Sequence, residues 1–202
     1  MDQSKPLFKD KELFHKMHEI EPFYKWENIY NPVEDEKSPF YGTTYAGYEL
    51  SLYNHLIHPL WDYIGSETLY VKVLFADYQE GFSIIEILGE WNDTLHNDIM
   101  HLKRNLIDPQ LAEGITRFLL IGENVLNFHG SEDDYYQEWF EEVEDGWIVA
   151  MGFRDYIHRE WSKFNLDFYL NWGGNLEIEN WRTMSPKKII TTIDLEIRRR
   201  LN

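Results

Sequence analysis

A chain of 202 residues with 36 acidic against 19 basic side chains carries a formal charge of −17 and no cysteine. The missing thiols exclude a disulfide framework, a thiol nucleophile and a thiolate metal site. The carboxylate excess repels nucleic acid and anionic lipid, so neither is an expected partner, and a basic protein surface is the favoured encounter.

The first 66 residues read as an aromatic-rich N-terminal extension packed on a core. Leu13, Phe14 and Met17 have helical spacing and predict a short helix over roughly 9–19, which Pro22 ends or follows. Pro32, Pro39, Gly42 and Gly47 then break regular structure, while Phe40, Tyr41, Tyr45 and Tyr48 are too apolar for a solvated linker. A second helix is expected over Leu50–Ile64, interrupted by Pro59 and stopped near Gly65.

Residues 67–172 read as the α/β core. Leu69–Ala76 and Phe82–Leu88 are two strands joined by Asp77-Tyr78-Gln79-Glu80-Gly81, an antiparallel hairpin. Leu95, Ile99, Leu102 and Leu106 fall on one helical face, with Asn92 or Asp93 as cap. Ile115–Ile121 is an apolar strand. The next helix, Ser131–Asp145, turns Tyr136, Trp139, Phe140 and Val143 inward and exposes eight carboxylates without a basic residue. Strand Trp147–Met151, a helix over Arg154–Phe164 and strand Asp167–Leu170 follow.

Residues 173–202 supply a Gly173-Gly174 turn and a final helix. That helix opens at Ser185-Pro186 and turns Ile190, Ile193, Ile197 and Leu201 inward. Its last turn holds Arg198, Arg199 and Arg200, which complement the negative end of the helix dipole. The whole is an α/β fold: a mixed sheet of four to five strands, hairpin first and then βα crossovers, with helices mostly on one face, all forming one unit.

That order, with Gly89 closing the second strand, Phe118-Leu119-Leu120-Ile121 as the third and Trp147–Met151 as the fourth, resembles the STAS domain, the fold of bacterial anti-sigma-factor antagonists. The resemblance is one of topology and covers about residues 68–171. It implies a module that acts by protein contact. In the antagonists, the turn after the third strand carries an aspartate and then a serine that is phosphorylated to switch partner binding. The matching turn here, Asn127-Phe128-His129-Gly130-Ser131-Glu132, has the serine without the aspartate. Ser131 is equally well placed as a helix N-cap, with Asp134 closing a capping box.

His129 stands near the carboxyl end of a parallel strand, where open α/β sheets build ligand sites. With Glu90, Asn92, Glu123, Ser131 and Glu132 it makes a candidate rim for a ligand or partner, and His129 is the candidate general base of a small hydrolase or lyase. His15 with His18, and His55 with His58, have the i, i+3 spacing of a metal pair but lack an HExxH frame, so no metal is expected. No G-x-G-x-x-G, Walker loop or G-x-S-x-G elbow occurs, so no cofactor is called for. The acidic helix from Ser131 onward is the best surface for a basic partner, its carboxylates having no counter-charge of their own.

No run approaches the 18 apolar residues that a membrane span needs, and the opening Met1–Asp10 is unlike a secretory signal. The expectation is therefore a cytoplasmic, non-enzymatic, STAS-like module working through protein contact or small-ligand sensing. The small hydrolase is one alternative. The other is a structural homo-oligomer joined through the aromatics of the N-terminal layer.

Overall fold

The computed structural model describes residues 18–44, 51–52 and 55–201. Its centre is a mixed five-stranded sheet in the order β4-β5-β6-β7-β8, formed by Asp62–Tyr63, Leu69–Asp77, Phe82–Asn92, Arg117–His129 and Trp147–Met151. β5 and β6 are the expected antiparallel hairpin. Asp77 shapes its turn by accepting the amides of Gln79 and Glu80 at 3.2 and 3.0 Å. β6, β7 and β8 run parallel, with Ile84 beside Leu119 and Leu119 beside Val149. The predicted second and third strands are thus neighbours in one sheet.

Both faces of the sheet are buried, which explains why its strands are near-continuous apolar runs rather than alternating ones. The two parallel crossovers step the same way along the sheet and leave their helices on one face. There α1 (Asp93–His96), α2 (Asp98–Leu102), a π-helical turn (Lys103–Ile107) and α3 (Asp108–Ala112) link β6 to β7, and α4 (Asp134–Glu142) links β7 to β8. With α5 (Asp155–Lys163) they bury Leu102, Leu106, Trp139, Ile157 and Trp161 against Val73, Ile85, Phe118 and Ile148. The opposite face, carrying Leu74, Ile84, Leu119 and Val149, is covered by Trp26 from the N-terminal segment, by Trp181, and by Ile189, Ile190 and Ile193 of α6 (Pro186–Leu201).

Several expected elements differ. Most of the helix expected over 9–19 lies outside the described residues, and His18–Ile20 is a strand, β1. In place of a helix over Leu50–Ile64 are β2 (Ser51–Leu52), β3 (His55–Ile57) and β4, with β1, β3 and β2 forming a small second sheet. Pro59 denies a helix its donor, and strand pairing, local for β2 with β3 and β4 with β5 and long-range for β1 with β3, supplies what helical propensity did not. Trp61 shows the tie, donating its indole N–H to Ile20 O at 2.8 Å.

Leu95 is 77% exposed, against the helical stripe read from its spacing. Asn97 at φ 52° breaks the helix after His96, so Leu95 is out of phase with Ile99, Leu102 and Leu106. The π-turn then adds a residue and brings Ile107 and Lys103 inward as well. Phe140 is 44% exposed, resting on the Tyr169 ring at 5.9 Å rather than in the core. The strand expected over Asp167–Leu170 is a 3-10 turn, Leu166–Phe168, entered through Asn165 at φ 58°; a single bridge from Asn171 to Val149 reaches the sheet.

Candidate functional site

The sheet is not a rectangle. β7 continues from Ile121, where β8 stops, to His129, and β6 accompanies it to Asn92, so that Asn92 pairs with His129 and Glu90 with Asn127. The third strand is therefore much longer than the apolar run Ile115–Ile121 indicated, and residues 127–129 belong to a strand rather than a turn. Irregular register between Glu86 and Leu88 and between Gly89 and Glu90 bends this two-stranded projection. One of its faces is anchored in the core by Trp91 and Phe128, whose rings meet Trp161 at 6.3 and 5.9 Å.

Polar residues occupy its tip. Asn127 and His129 are two apart in a strand and so share a face, and Glu90 is Asn127's partner across the ladder. His129 Nε2 lies 2.8 Å from Glu90 Oε1 and 2.9 Å from Asn127 Nδ2. The Asn127 amide is oriented by Phe128 N, which donates to its Oδ1 at 2.9 Å, so Nδ2 is the group turned to the ring. Glu90 thus calls for a proton on Nε2, while Asn127 calls for a lone pair at the same atom. The imidazole side chain is 47% exposed.

The loop beneath this face is held by two buried aspartates. Asp93 accepts from Trp91 Nε1, Ile99 N and Tyr136 Oη at 3.0, 2.8 and 2.7 Å. Asp98 accepts from Ser66 Oγ, Thr68 Oγ1 and Asn92 N at 2.5, 2.9 and 2.6 Å. Burial pushes the Asp93 carboxyl up to about 7 against the pull of its donors. These two acids have their lone pairs occupied by the chain's own donors, which makes them positioning groups for the rim. Asn92 is the α1 cap, its side chain accepting Leu95 N at 3.0 Å.

Of the six residues expected to form the rim, Glu90, Asn92 and His129 are brought together and three are not. Ser131 and Glu132 are exposed beyond the strand end, and α4 begins only at Asp134 with Asp133 at its N-cap position, so Ser131 caps nothing and the capping box is not formed. Glu123 lies six residues back along β7, roughly 20 Å from His129 at strand rise. It points to the α6 side of the sheet, accepting from Trp181 Nε1 at 2.8 Å and from both terminal nitrogens of Arg182. Asn127 is not among the expected rim residues because the apolar run ends at Ile121 while the strand continues to His129; the alternation Asn127-Phe128-His129 is the signal in the sequence that points to it.

The acidic helix also differs from expectation. Lys103 and Arg104, presented by the π-turn, engage Glu138, and Lys103 also bonds Glu142 and Asp108. Two of the eight carboxylates therefore have counter-charges from outside the helix. The i, i+3 histidine faces do not form either: His55 is in β3, His58 Nδ1 accepts Leu60 N at 3.1 Å, and His15 lies outside the described residues. Among the described residues no group of three or more metal-ligating side chains converges, and no helix is long and apolar enough to cross a membrane. Neither a family model nor a curated protein matches the chain.

Proposed function

We propose that this chain is a cytoplasmic, non-enzymatic STAS-like module that senses a partner protein or a small ligand at the His129–Glu90–Asn127 rim. The hairpin-first order with two successive parallel crossovers supports the STAS-like part of the reading. The observation that carries the functional part is His129 itself, half exposed at the end of a projecting strand pair, between one neighbour that asks its Nε2 for a proton and another that offers one. A bound group that engages Glu90 or the imidazole selects one of these arrangements, and the strand pair transmits the choice to the Trp91–Phe128–Trp161 packing beneath. The acidic net charge favours a partner with a basic surface in encounter.

One contact favours the competing reading of a small hydrolase or lyase. A carboxylate 2.8 Å from an imidazole is the arrangement that orients a general base. A single pair of experiments separates the two. Native protein and His129→Ala are used as bait in affinity capture from the source cell, at low and high salt, and both are assayed against a broad hydrolase panel. The binding reading expects a captured partner that His129→Ala loses and no turnover by either protein. Turnover by the native protein that His129→Ala abolishes overturns it in favour of the enzyme.

A further inference from the structure

Glu86 sits in the central strand β6, on the face away from the crossover helices, and is only 1% exposed. Three separate parts of the chain meet over it. The N-terminal strap contributes Phe23 N, which donates to Oε2 at 2.8 Å; β7 contributes Asn124 Nδ2, which donates to Oε1 at 3.2 Å; and the 181–183 turn packs Trp181 on Phe23 and brings the Arg182 charge to bear on Glu86. The strap is seated by an aromatic triangle, Phe23 meeting Trp26 at 5.0 Å and Trp181 at 4.9 Å, with Trp26 to Trp181 at 5.9 Å.

The charges around Glu86 are already matched to others. Arg182 gives both terminal nitrogens to Glu123; its charge pulls the Glu86 carboxyl down, and the Glu123 carboxylate beside it repels Glu86 and opposes that pull. Lys72, its ladder partner on β5, holds its ammonium 3.4 Å from Asp62 and also feels Glu27 of the strap. Glu86 is therefore a buried carboxyl with two neutral donors, and among the described residues no cation is in hydrogen-bond contact with it. In that setting the desolvation of the ionised form outweighs two hydrogen bonds, and the carboxyl titrates near neutrality, pushed up to about 7.

We infer that the strap formed by residues 21–33 is a proton-controlled cover: protonated Glu86 holds it on the sheet, and ionisation of Glu86 favours its release. When the strap lifts, the carboxylate regains water and the Phe23–Trp26–Trp181 surface opens, together with the cleft that Tyr24, Tyr30 and Pro32 form over Lys72 and Leu74. The sign follows from linkage. Docked Glu86 binds its proton more tightly than released Glu86, so docking weakens as pH rises through the docked value. Between pH 6 and pH 8 the docking constant falls about tenfold.

The test is amide hydrogen exchange of the full chain, with peptides covering the strap read as protection factors corrected for intrinsic rate at pH 6, 7 and 8. The native protein should lose about tenfold of strap protection over this range, Glu86→Gln should show none of that loss, and Asp93→Asn, altered on the opposite face, should reproduce the native profile. A pH-independent native strap, an equal loss in Glu86→Gln, or a profile flattened by Asp93→Asn overturns the inference.

Discussion

Replacing Asp93 by asparagine tests the energetics of the rim's foundation. The carboxyl is buried under α1 and titrates at about 7 instead of its ordinary 3.8. A raised carboxyl means that the folded state binds the proton more tightly than the unfolded chain does. Stability from this group is therefore complete below pH 4 and is lost as pH rises through 7, by about 4 kcal/mol at 1.36 kcal/mol per unit. Glu86, raised from 4.5 to about 7, adds a parallel loss of about 3 kcal/mol. Between pH 5 and 6.5 the native protein should lose nearly two protons' worth of stability per pH unit, roughly 2 to 3 kcal/mol. Asparagine keeps the three bonds: Oδ1 still accepts from Trp91 and Ile99, and Nδ2 donates to a Tyr136 hydroxyl turned to accept. Urea unfolding at half-unit steps from pH 5 to 8 should show Asp93→Asn with about half the native slope and with greater stability than native at pH 8. An unchanged slope, or a variant less stable than native at pH 8, refutes the reasoning.

Two further substitutions probe the parts of the fold that periodicity misread or left unspecified. Leu95→Ala should stay within about 0.5 kcal/mol of native in thermal or urea unfolding, while Leu106→Ala, one of the same four-residue stripe, should cost about 2–5 kcal/mol; equal effects would contradict the break at Asn97. Gly146→Ala should lower the melting temperature sharply, by the equivalent of about 3 kcal/mol or more, because its Cβ would stand 1.9 Å from the carbonyl oxygen of Thr116 where β8 begins beside β7. A melting temperature within 2 °C of native, on the order of half a kcal/mol, would show that this close approach is not held.

What could be read without coordinates was whatever local periodicity encodes. The hairpin at Asp77–Gly81, strand Trp147–Met151, helices α5 and α6 and the adjacency of β6 and β7 follow from alternation, apolar runs and caps, because a segment's own hydrophobic pattern decides which face it can bury. Pattern says little about where pairing continues once the residues turn polar. Residues 124–129 form strand because β6 supplies their ladder partners, and β2, β3 and β4 form because neighbouring strands and, for β3, the remote β1 supply theirs.

The candidate site divides in the same way. His129 and Glu90 are visible as polar residues near strand ends, yet their meeting and Asn127's part in it depend on register, which a one-residue shift reverses, and Glu123 is held six residues back along β7 by Trp181 and Arg182. Charge is the clearest case. Composition determines that the chain carries −17, but the neutralising of Glu138 and Glu142 by Lys103 and Arg104, and the burial of Glu86 beneath a distant strap, were decided only when packing brought remote segments together. Coulomb and desolvation energies depend on distance and surroundings in space, and neither is a property of position along the chain.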